Sequence, residues 1–382
     1  MVISPVKVAL LTNIVAPYRF GSYCALHHHA KQAGGGLSVL CTNQAEPQRN
    51  WPVRKGPFAQ IQIRGLNVYL GENRNLTFPI GVTKALHKLQ PDILILVGFG
   101  LAQWRAQKWA SRSGIPVILQ FDGWSGSDAL YGNPVRRYMR RQMVDNADGC
   151  IAASTHGRDW FSAFGVAREN IFISPIPTSF DTGKIPTGVA KRSFSERPFD
   201  LMWCGRTTSS KGFDTFIEIA AELVRANTIS KIAIIGCTDL AAISDRLERG
   251  GLLNITELRG QLPTDQLPAH LSKAKLCLFP SHNDAYGLGV IEAIACGAVA
   301  LSTDAVGCAP DILDPEEILS PHQPTVWTNA CSRLLNNADL WQKTRQRQAS
   351  CIKHNTAQHH ASTLWHAICQ TMAKQQSLCQ WN

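Results

Sequence analysis

The sequence contains no CxxC pair, although 12 of its 382 residues are cysteines. Cysteine pairs at that spacing are typical of zinc sites and redox motifs, so the chain indicates neither. Many of the cysteines lie within apolar runs instead, as in LMWCG (201–205) and AKLCLF (274–279). This placement favours reduced and mostly buried thiols of a cytoplasmic protein over a disulfide framework.

Long apolar runs are also missing. A membrane-spanning helix needs about 18 consecutive apolar residues. The longest run here, ILILVGFGLAQW (93–104), contains glycines that indicate a strand and a turn. The opening MVISPVKVALLTN (1–13) has neither the basic start nor the small-residue cleavage site of a signal peptide. We therefore expect a cytoplasmic protein.

Two ligand-binding patterns are absent as well. The chain has no D-x-D pair, so the usual carboxylates for a divalent metal are missing. No G-x-G-x-x-G follows the first predicted strand, which argues against a dinucleotide oxidoreductase. Consecutive His27, His28 and His29 point in different directions on a helix, which favours a solvated helix edge over a metal site. We expect no metal and no cofactor.

Acidic residues are scarce in the first half of the chain. The net charge is +10, and residues 1–200 hold 23 of the 38 basic side chains but only 12 of the 28 acidic ones. An excess of this kind attracts anions non-specifically. The interleaved aromatic and basic residues of a nucleic-acid reader are missing, so no nucleic-acid partner is expected.

Short apolar strands alternate with amphipathic helical stretches in two successive sets. The first set runs from VKVALLTN (6–13) to IFISP (171–175), and the second from FDLMWCG (199–205) to AVALST (298–303). Such alternation predicts an α/β protein with two doubly wound, Rossmann-like domains that face each other across a cleft. The predicted domains are 1–190 and 191–350, with C-terminal helices at 351–382 that pack across both and a linker at 182–198.

The stretch CGRTTSSKGFDTF (204–216) places two cations between a strand and a helix. Gly205 permits a turn, Arg206 and Lys211 bracket a small polar loop, and Gly212 leads into the helix. Two cations beside a helix N-terminus can hold a phosphate group without a metal. Taken alone, the stretch would fit a surface loop with two solvated cations somewhat better.

A second stretch, HNDAYGLGVIEAIACG (282–297), holds two carboxylates eight positions apart. Asp284 lies in a glycine-bearing loop, and Glu292 lies one turn inside the predicted helix that follows. Because Gly287 and Gly289 lack side chains, the backbone of this loop can approach a ligand closely. Taken alone, the stretch would also fit a helix cap followed by a solvated glutamate.

Together, the two stretches resemble the donor domain of the family 4 glycosyltransferases, of the group 1 type. The shared order is GR-x4-KG, then PS-x2-D-x-Y-G-L-G-x2-E-A-x-A-C-G, then STDAVGCAPDIL (302–313). The opening TNIVAPYRFGSYCAL (12–26) is similar to the start of one branch of this family. The resemblance implies the GT-B fold of two facing Rossmann-like domains. The usual Glu-x7-Glu pattern of the family has Asp284 in its first place here and Glu292 in its second.

The resemblance also implies a nucleotide-sugar donor. Carboxylates repel phosphates, so Glu292 is expected on the ribose diol and Asp284 on the hydroxyls of the transferred sugar. Arg206 and Lys211 would stabilise the charge that develops on the diphosphate, which fits a retaining, metal-independent transfer. The predicted donor site comprises Gly205, Arg206, Lys211, Asp284, Ala285, Tyr286, Gly287, Leu288 and Glu292.

Asp284 departs from the family pattern. Aspartate is one methylene shorter than glutamate, so its reach falls by about 1.5 Å. The change is compatible with a different donor sugar, a tighter loop, or lost transfer activity. Lost activity would make the protein a silent nucleotide-sugar-binding partner of another transferase. A GT-B sugar-nucleotide epimerase is a further alternative, against which the basic first half argues.

The first domain is expected to bind the acceptor. Many relatives have a histidine after the strand that reads PVILQFD (116–122) here, and that place falls on Asp122. Asp122 is a candidate base or an orienting residue, although a turn-forming Asp before Gly123 fits nearly as well. Arg206, Lys211 and Asp284 complete the predicted catalytic set. Weaker candidates, each equally compatible with an ordinary turn, are Asn13, Arg19, Gly98 and Gly100.

The helix predicted for NPVRRYMRRQ (133–142) carries four arginines on one side, Arg136, Arg137, Arg140 and Arg141. It would contact an anionic membrane surface or carrier lipid, or would present a solvated basic face. We therefore expect a cytoplasmic enzyme, peripheral at the inner face of the membrane. It would transfer a sugar to a saccharide or lipid-linked acceptor in polysaccharide or glycolipid assembly.

Overall fold

The computed structural model describes residues 5–43, 51, 54–69, 75–129, 132–185, 188 and 191–379. The chain forms two compact units, of which the first comprises Met1–Ile176 and Thr356–Asn382 and the second Pro177–Asn355. The sequence indicated a division after residue 190 and a tail packed across both domains. In the structure the tail returns to the first unit. Four residues of the predicted linker, 186, 187, 189 and 190, lie outside the described residues.

The secondary structure alternates strands and helices along the described chain. The strands are β1 (Lys7–Thr12), β2 (Gly36–Cys41), β3 (Ala59–Gln62), β4 (Arg64–Tyr69), β5 (Asn75–Ile80), β6 (Ile93–Val97), β7 (Val117–Phe121), β8 (Gly149–Ala152), β9 (Ile171–Ile173), β10 (Phe199–Cys204), β11 (Ile232–Cys237), β12 (Thr256–Gly260), β13 (Ala274–Phe279) and β14 (Val299–Ser302). The helices are α1 (Pro17–Gln32), α2 (Val82–Leu89), α3 (Leu101–Arg112), α4 (Ser125–Ala129), α5 (Pro134–Asp145), α6 (Thr155–Ala163), α7 (Phe213–Arg225), α8 (Leu240–Arg249), α9 (Leu267–Leu271), α10 (Leu288–Ala295), α11 (Ala309–Ile312), α12 (Pro324–Leu335), α13 (Ala338–Cys351) and α14 (Ala357–Cys379).

The first unit is built on a parallel sheet with the strand order β3-β2-β1-β6-β7-β8-β9, beside a separate antiparallel pair of β4 and β5. Its inner strands are apolar and buried along their length, which is typical of parallel strands covered on both faces. Helices α2, α3, α5 and α6 pack on one face, and α1 and α14 on the other. The last helix thus supplies part of the core of the first unit.

The contact between α1 and α14 depends on small residues. A Cβ atom on Gly21 would lie 3.0 Å from the Cβ of Ala357, so glycine lets the two helices approach closely. Further along α14, Ala361, Leu364 and Ile368 are fully buried. Their spacing places them on one side of the helix, facing the sheet.

The second unit contains a parallel sheet with the order β12-β11-β10-β13-β14. Trp203, Phe213 and Phe216 form an aromatic centre in its core, with 4.9 Å between the ring centroids of Trp203 and Phe213. Both sheets place their first strand in the interior, and the strand order reverses between β1 and β6 and between β10 and β13. Ligands of such sheets bind beyond the carboxyl ends of the strands at the reversal.

The predicted α/β class with two doubly wound sheets is confirmed. The helices predicted at 17–32 and 101–112 begin and end at those residues. The structure adds β3 and the β4–β5 pair, for which the sequence pattern predicts no strand. These three strands lie outside the buried central part of the first sheet, so their sequences lack a continuous apolar run.

Candidate active site

The loop after β10 carries Arg206 and Lys211 and is shaped by glycine. Gly212 has a φ of +72°, and a Cβ atom there would lie 1.8 Å from the carbonyl oxygen of Pro280. Any side chain would therefore collide with backbone, so only glycine fits. Arg206 is half-buried after Gly205, and a short 3-10 turn, Ser209–Lys211, brings Lys211 to the start of α7.

Ser210 joins this loop to the loop after β13. Its carbonyl oxygen accepts hydrogen bonds from the backbone N–H groups of His282 (3.0 Å) and Asn283 (3.1 Å). Asp284 then donates its own N–H to the carbonyl oxygen of Ala305 (2.9 Å), which ties in the loop after β14. The two sequence motifs therefore lie together at the carboxyl ends of β10 and β13, where the strand order reverses.

Asp284 and Lys211 form an ion pair, with 2.6 Å between Asp284 Oδ2 and Lys211 Nζ. The other carboxylate oxygen, Oδ1, accepts hydrogen bonds from the N–H groups of Tyr286 (3.3 Å) and Gly287 (3.1 Å). Both charged side chains are about a quarter exposed, so water screens the pair and it adds at most about 1 kcal/mol of stability. The structure thus pairs a cation predicted for the diphosphate with a carboxylate predicted for the sugar.

The backbone between Asp284 and Glu292 turns at a second glycine. Gly287 has a φ of +98°, and a Cβ atom there would lie 2.2 Å from Val306 Cγ1. Tyr286 is buried, and its hydroxyl accepts a hydrogen bond from Asn355 Nδ2 (2.7 Å). Ala285 is exposed and Leu288 half-buried. The tyrosine ring therefore anchors the loop from inside the unit.

Glu292 lies inside the second unit and is 6% exposed. It accepts two hydrogen bonds from Ser179, one from the backbone N–H (3.0 Å) and one from the hydroxyl. Burial raises the pKa of Glu292 above its ordinary 4.5, and the bonds from Ser179 oppose this rise. Ser179 lies 113 residues away in sequence and is a site residue that sequence reasoning missed. No local motif marks it.

The raised pKa of Glu292 gives stability a defined pH dependence. The folded protein binds the Glu292 proton more tightly than the unfolded chain, so this group lowers stability as the pH rises from 4.5 through the raised pKa. Glu292→Gln removes that loss. We expect the melting temperature of the variant to exceed that of the wild type by about 1–3 °C at pH 8. The difference should be smallest below pH 4.5 in melting curves recorded from pH 4 to 8.

The matched control is Glu248→Gln, because Glu248 is exposed on α8 in the same unit. Its substitution should leave the difference from the wild type flat across the same pH range. A Glu292→Gln variant less stable than the wild type at pH 8 would contradict the expectation. It would mean that the charged carboxylate is favoured in the fold.

In the first unit Asp122 follows β7 and is held by Arg19 of α1. The distance between Asp122 Oδ1 and Arg19 Nη2 is 2.5 Å, and the side chains are 28% and 3% exposed. The Gln120 amide, with its oxygen toward Arg19, accepts from both terminal guanidinium nitrogens at 2.9 and 3.0 Å. Arg19 also donates to Nε2 of His360 on α14. The carboxylate of Asp122 is therefore partly exposed, while the cation that holds it, Arg19, is buried.

His360 is fully buried, and its pKa lies well below 6.5 because of burial first and the positive charge of Arg19 second. A neutral imidazole is required here, since Nε2 must accept the hydrogen bond from Arg19. The proton then lies on Nδ1, which is buried with no hydrogen-bond partner among the described residues. Neither His360 nor Gln120 is marked by any pattern in the sequence.

The weaker candidates of the first unit lie near the same edge of its sheet. Asn13 follows β1, where its side-chain oxygen accepts a hydrogen bond from Thr42 Oγ1 (3.4 Å). Gly98 follows β6 with a φ of +81°, and its N–H bonds to the Gln120 carbonyl oxygen (2.8 Å). Gly100 begins α3 as its N-cap. Both glycines thus have turn or capping positions.

The basic face predicted for α5 requires a correction. Arg140 is buried and forms an ion pair with Asp128 of α4, so it does not belong to a solvated face. Arg137 and Arg141 are exposed, and Arg141 pairs with Asp145 at 3.0 Å. Among the described residues no helix is long and apolar enough to cross a membrane, and no His, Cys, Asp and Glu side chains cluster in a metal-binding group.

Comparison with solved structures identifies the architecture. A sucrose-phosphate synthase from Thermosynechococcus elongatus superposes with a TM-score of 0.73 at 16% identity, over 97% of this chain and all of that one. HepE of Anabaena, in complex with UDP, superposes with 0.70 at 14% identity, over 96% of this chain and all of its own. The fold is therefore that of the GT-B glycosyltransferases. At such identities the likeness shows the fold alone.

Family models identify the chain more closely. The model of glycosyl transferases group 1 matches residues 187–353, and the glycosyl transferase 4-like domain matches residues 25–177. The chain belongs to the family 4 glycosyltransferases, as its motifs predict.

The chain is also similar to curated proteins that are named as glycosyltransferases. The D-inositol 3-phosphate glycosyltransferase of Gordonia bronchialis is 26% identical over 314 residues, 74% of this chain and 66% of the relative. That of Corynebacterium jeikeium is 24% identical over 223 residues, 54% of this chain and 53% of the relative. The matched regions thus span about half to two thirds of these relatives.

Proposed function

We propose that the protein transfers a sugar from a nucleotide-diphosphate sugar to a saccharide or lipid-linked acceptor. The observation that carries the proposal is the joined pair of loops after β10 and β13. They pair Lys211 with Asp284 and place Arg206 on the same loop as Lys211, at the reversal of the strand order. The family assignment and the relatives named as glycosyltransferases support the same reaction class.

The two cations fit the leaving group of such a transfer. When the bond between the anomeric carbon and the diphosphate breaks, negative charge grows on the phosphate oxygens. Arg206 and Lys211 would stabilise that charge without a metal. In the retaining reaction that we propose, the acceptor oxygen bonds to the anomeric carbon on the same face. The leaving phosphate oxygen takes the hydroxyl proton, so no protein nucleophile is needed.

The carboxylates fit the neutral parts of the donor. Glu292 has one oxygen on Ser179, and its second oxygen forms no hydrogen bond among the described residues. That oxygen would accept from the ribose diol. When the donor binds, Lys211 would form its ion pair with the diphosphate instead of with Asp284. Asp284 would then accept a hydrogen bond from a sugar hydroxyl. The pairing in the free protein therefore keeps both groups ordered before the donor binds.

Asp122 would act in the first unit on the acceptor or the transferred sugar. Its carboxylate is 28% exposed, while the Arg19 that holds it is almost fully buried. A carboxylate held in this way can accept a hydrogen bond from a hydroxyl group without moving. We propose a cytoplasmic location for the enzyme. Contact of its basic first half with an anionic membrane would bring a lipid-linked acceptor within reach.

One observation favours a second candidate function. The ion pair of Asp284 with Lys211 occupies two of the groups that transfer requires, and aspartate is the shorter carboxylate. A protein that binds a nucleotide-sugar but leaves this pair intact would be a silent partner of another transferase. The two functions differ in turnover, not in donor binding.

The test measures binding and slow hydrolysis across UDP-, GDP- and ADP-sugars. HepE is described in complex with UDP and with UDP-glucose, so the UDP-sugars come first. Saturable binding with release of free sugar, lost in Arg206→Ala and Asp284→Asn but kept in Glu248→Gln, supports the transferase. Binding without turnover, even with crude membrane acceptors, supports the silent partner. No binding of any donor would refute both.

A further inference from the structure

A pocket of about 360 Å³ lies on the first unit between α2 and α3. It is lined by Pro79, Gly81, Val82, Thr83, Arg105, Lys108, Trp109 and Arg112. Three of the eight lining residues are cations and none is acidic. No acidic side chain in the lining neutralises the three cations, so the pocket is expected to attract an anionic ligand.

The three cations share one face of α3. Arg105, Lys108 and Arg112 follow each other at spacings of three and four residues, which aligns them along the helix. Among the described residues none of the three forms an ion pair, although other cations do, as Lys275 does with Asp200. Their positive charge is therefore uncompensated within the described part of the chain.

Two of these cations are also held in place. Arg105 donates a hydrogen bond from Nη1 to the carbonyl oxygen of Pro79 (2.9 Å), which ties α3 to the segment before α2. The ammonium group of Lys108 lies 3.6 Å from the ring centroid of Trp104, in a cation–π contact. Held cations lose less conformational entropy when an anion binds than mobile ones do.

The opposite wall of the pocket is the N-terminus of α2. Gly81 is its N-cap, with a φ of +93° and no side-chain hydrogen bond to the helix. The first backbone N–H groups of a helix have no partner within the helix, and they carry the positive end of its dipole. Val82 and Thr83 of this first turn both line the pocket. The uncapped first turn of α2 and the cations of α3 thus line one pocket and could bind the same anion.

The pocket also has an apolar part. Val82 and the half-buried Trp109 belong to its lining. Ile80, between two lining residues, is 70% exposed, one of the most exposed large apolar side chains among the described residues. An anion with an apolar substituent would cover both kinds of surface, whereas a simple inorganic ion would cover only the cations.

We propose that this pocket binds a phosphate group, as a monoester or diphosphate, on a compound with an apolar portion. Guanidinium groups and helix N-terminal N–H groups are the donors that phosphate oxygens prefer. The site is separate from the loops of the second unit, and its occupation needs no glycosyl transfer. The proposal therefore stands or falls independently of the proposed function.

The experiment follows hydrogen exchange of the full chain with and without inorganic pyrophosphate. Binding at the pocket should slow exchange of the amides at 82–84 about tenfold or more, because the uncapped N–H groups become hydrogen-bonded. The combined variant Arg105→Gln, Lys108→Gln, Arg112→Gln should abolish this protection. Lys211→Gln should retain it, which separates the pocket from a diphosphate bound in the second unit.

The matched control changes the same residue types at exposed helical positions of the second unit. It is the combined variant Arg225→Gln, Arg249→Gln, Lys343→Gln, which lowers the net charge equally. Protection at 82–84 that survives in the control and disappears in the pocket variant supports the site. If both variants lost the protection at 82–84 equally, the effect would be due to net charge alone, and the proposal would be overturned. Absence of this protection in the wild type would overturn it as well.

A second arm distinguishes a soluble phosphate compound from a lipid headgroup. Vesicles of phosphatidylglycerol and of phosphatidylcholine replace pyrophosphate, and Ile80→Glu is added as a variant. If the headgroup is the source, phosphatidylglycerol vesicles protect 82–84, and Ile80→Glu abolishes that protection but not the protection by pyrophosphate. If the source is soluble, only pyrophosphate protects. Protection by neither would overturn the proposal.

Discussion

Replacing Arg206 with alanine is expected to lower kcat about 10²- to 10³-fold, with little change in the melting temperature. A preorganised donor aimed at developing charge has an effect of this size when it is removed. Arg206 lies on the loop whose Ser210 carbonyl oxygen binds the loop after β13, and these backbone hydrogen bonds remain when the Arg206 side chain is removed. Steady-state kinetics with the donor identified by the binding panel measure the change.

Two comparisons make this expectation specific. Lys211→Ala should lower kcat less than Arg206→Ala, because Lys211 shares its charge with Asp284 in the free protein. Arg225→Ala removes an exposed arginine from the end of α7 in the same unit and should leave kcat unchanged. If Arg206→Ala raised KM alone and kept kcat, the side chain would bind the ground state and transition state equally. That result would contradict the proposed role.

Replacing Arg19 with methionine is expected to lower the free energy of unfolding of the first unit by about 3 kcal/mol. The guanidinium group is 3% exposed and donates to Asp122, Gln120 and His360. Its removal leaves the Gln120 oxygen and the His360 nitrogen buried without a donor, and each such loss costs roughly 1–3 kcal/mol. Hydrogen exchange of the slowest amides of β1 and β7 measures the change in this unit alone.

Arg168→Met is the control, since Arg168 is exposed in the same unit and its loss should change stability by less than about 0.5 kcal/mol. Arg19→Lys keeps the charge but has no planar fork, so it should fall between the wild type and Arg19→Met. An Arg19→Met variant as stable as the wild type would show that apolar packing replaces the polar cluster. In that case Arg19 would be dispensable for holding Asp122.

Local motifs allowed much of the second unit to be predicted from sequence. Arg206, Lys211, Asp284 and Glu292 stand at fixed spacings within two short stretches, and the structure brings both stretches to one strand reversal. The sequence motifs do not predict the ion pair between Lys211 and Asp284. It depends on how two loops some seventy residues apart approach each other. The roles of these residues stay predictions that the variants above test.

Contacts between distant segments account for most of what sequence reasoning missed. Ser179 reaches Glu292 across 113 residues, and His360 reaches Arg19 across 341. Neither serine nor histidine stands in a recognisable pattern. The orientation of Arg140 was wrong for a related reason: its partner Asp128 lies outside the helix, so helical spacing alone placed the side chain in solvent.

The return of the chain to its first unit has a consequence for synthesis. α14 supplies Leu364 and Ile368 to the same cluster as Val8 and Leu10. A ribosome produces these partners more than 350 residues apart, so α1 can cover its part of this face of β1 early, whereas the part that α14 covers stays exposed until that helix has emerged. The residues of the second unit, Pro177–Asn355, are all available earlier. Translation thus completes the middle of this protein before its beginning.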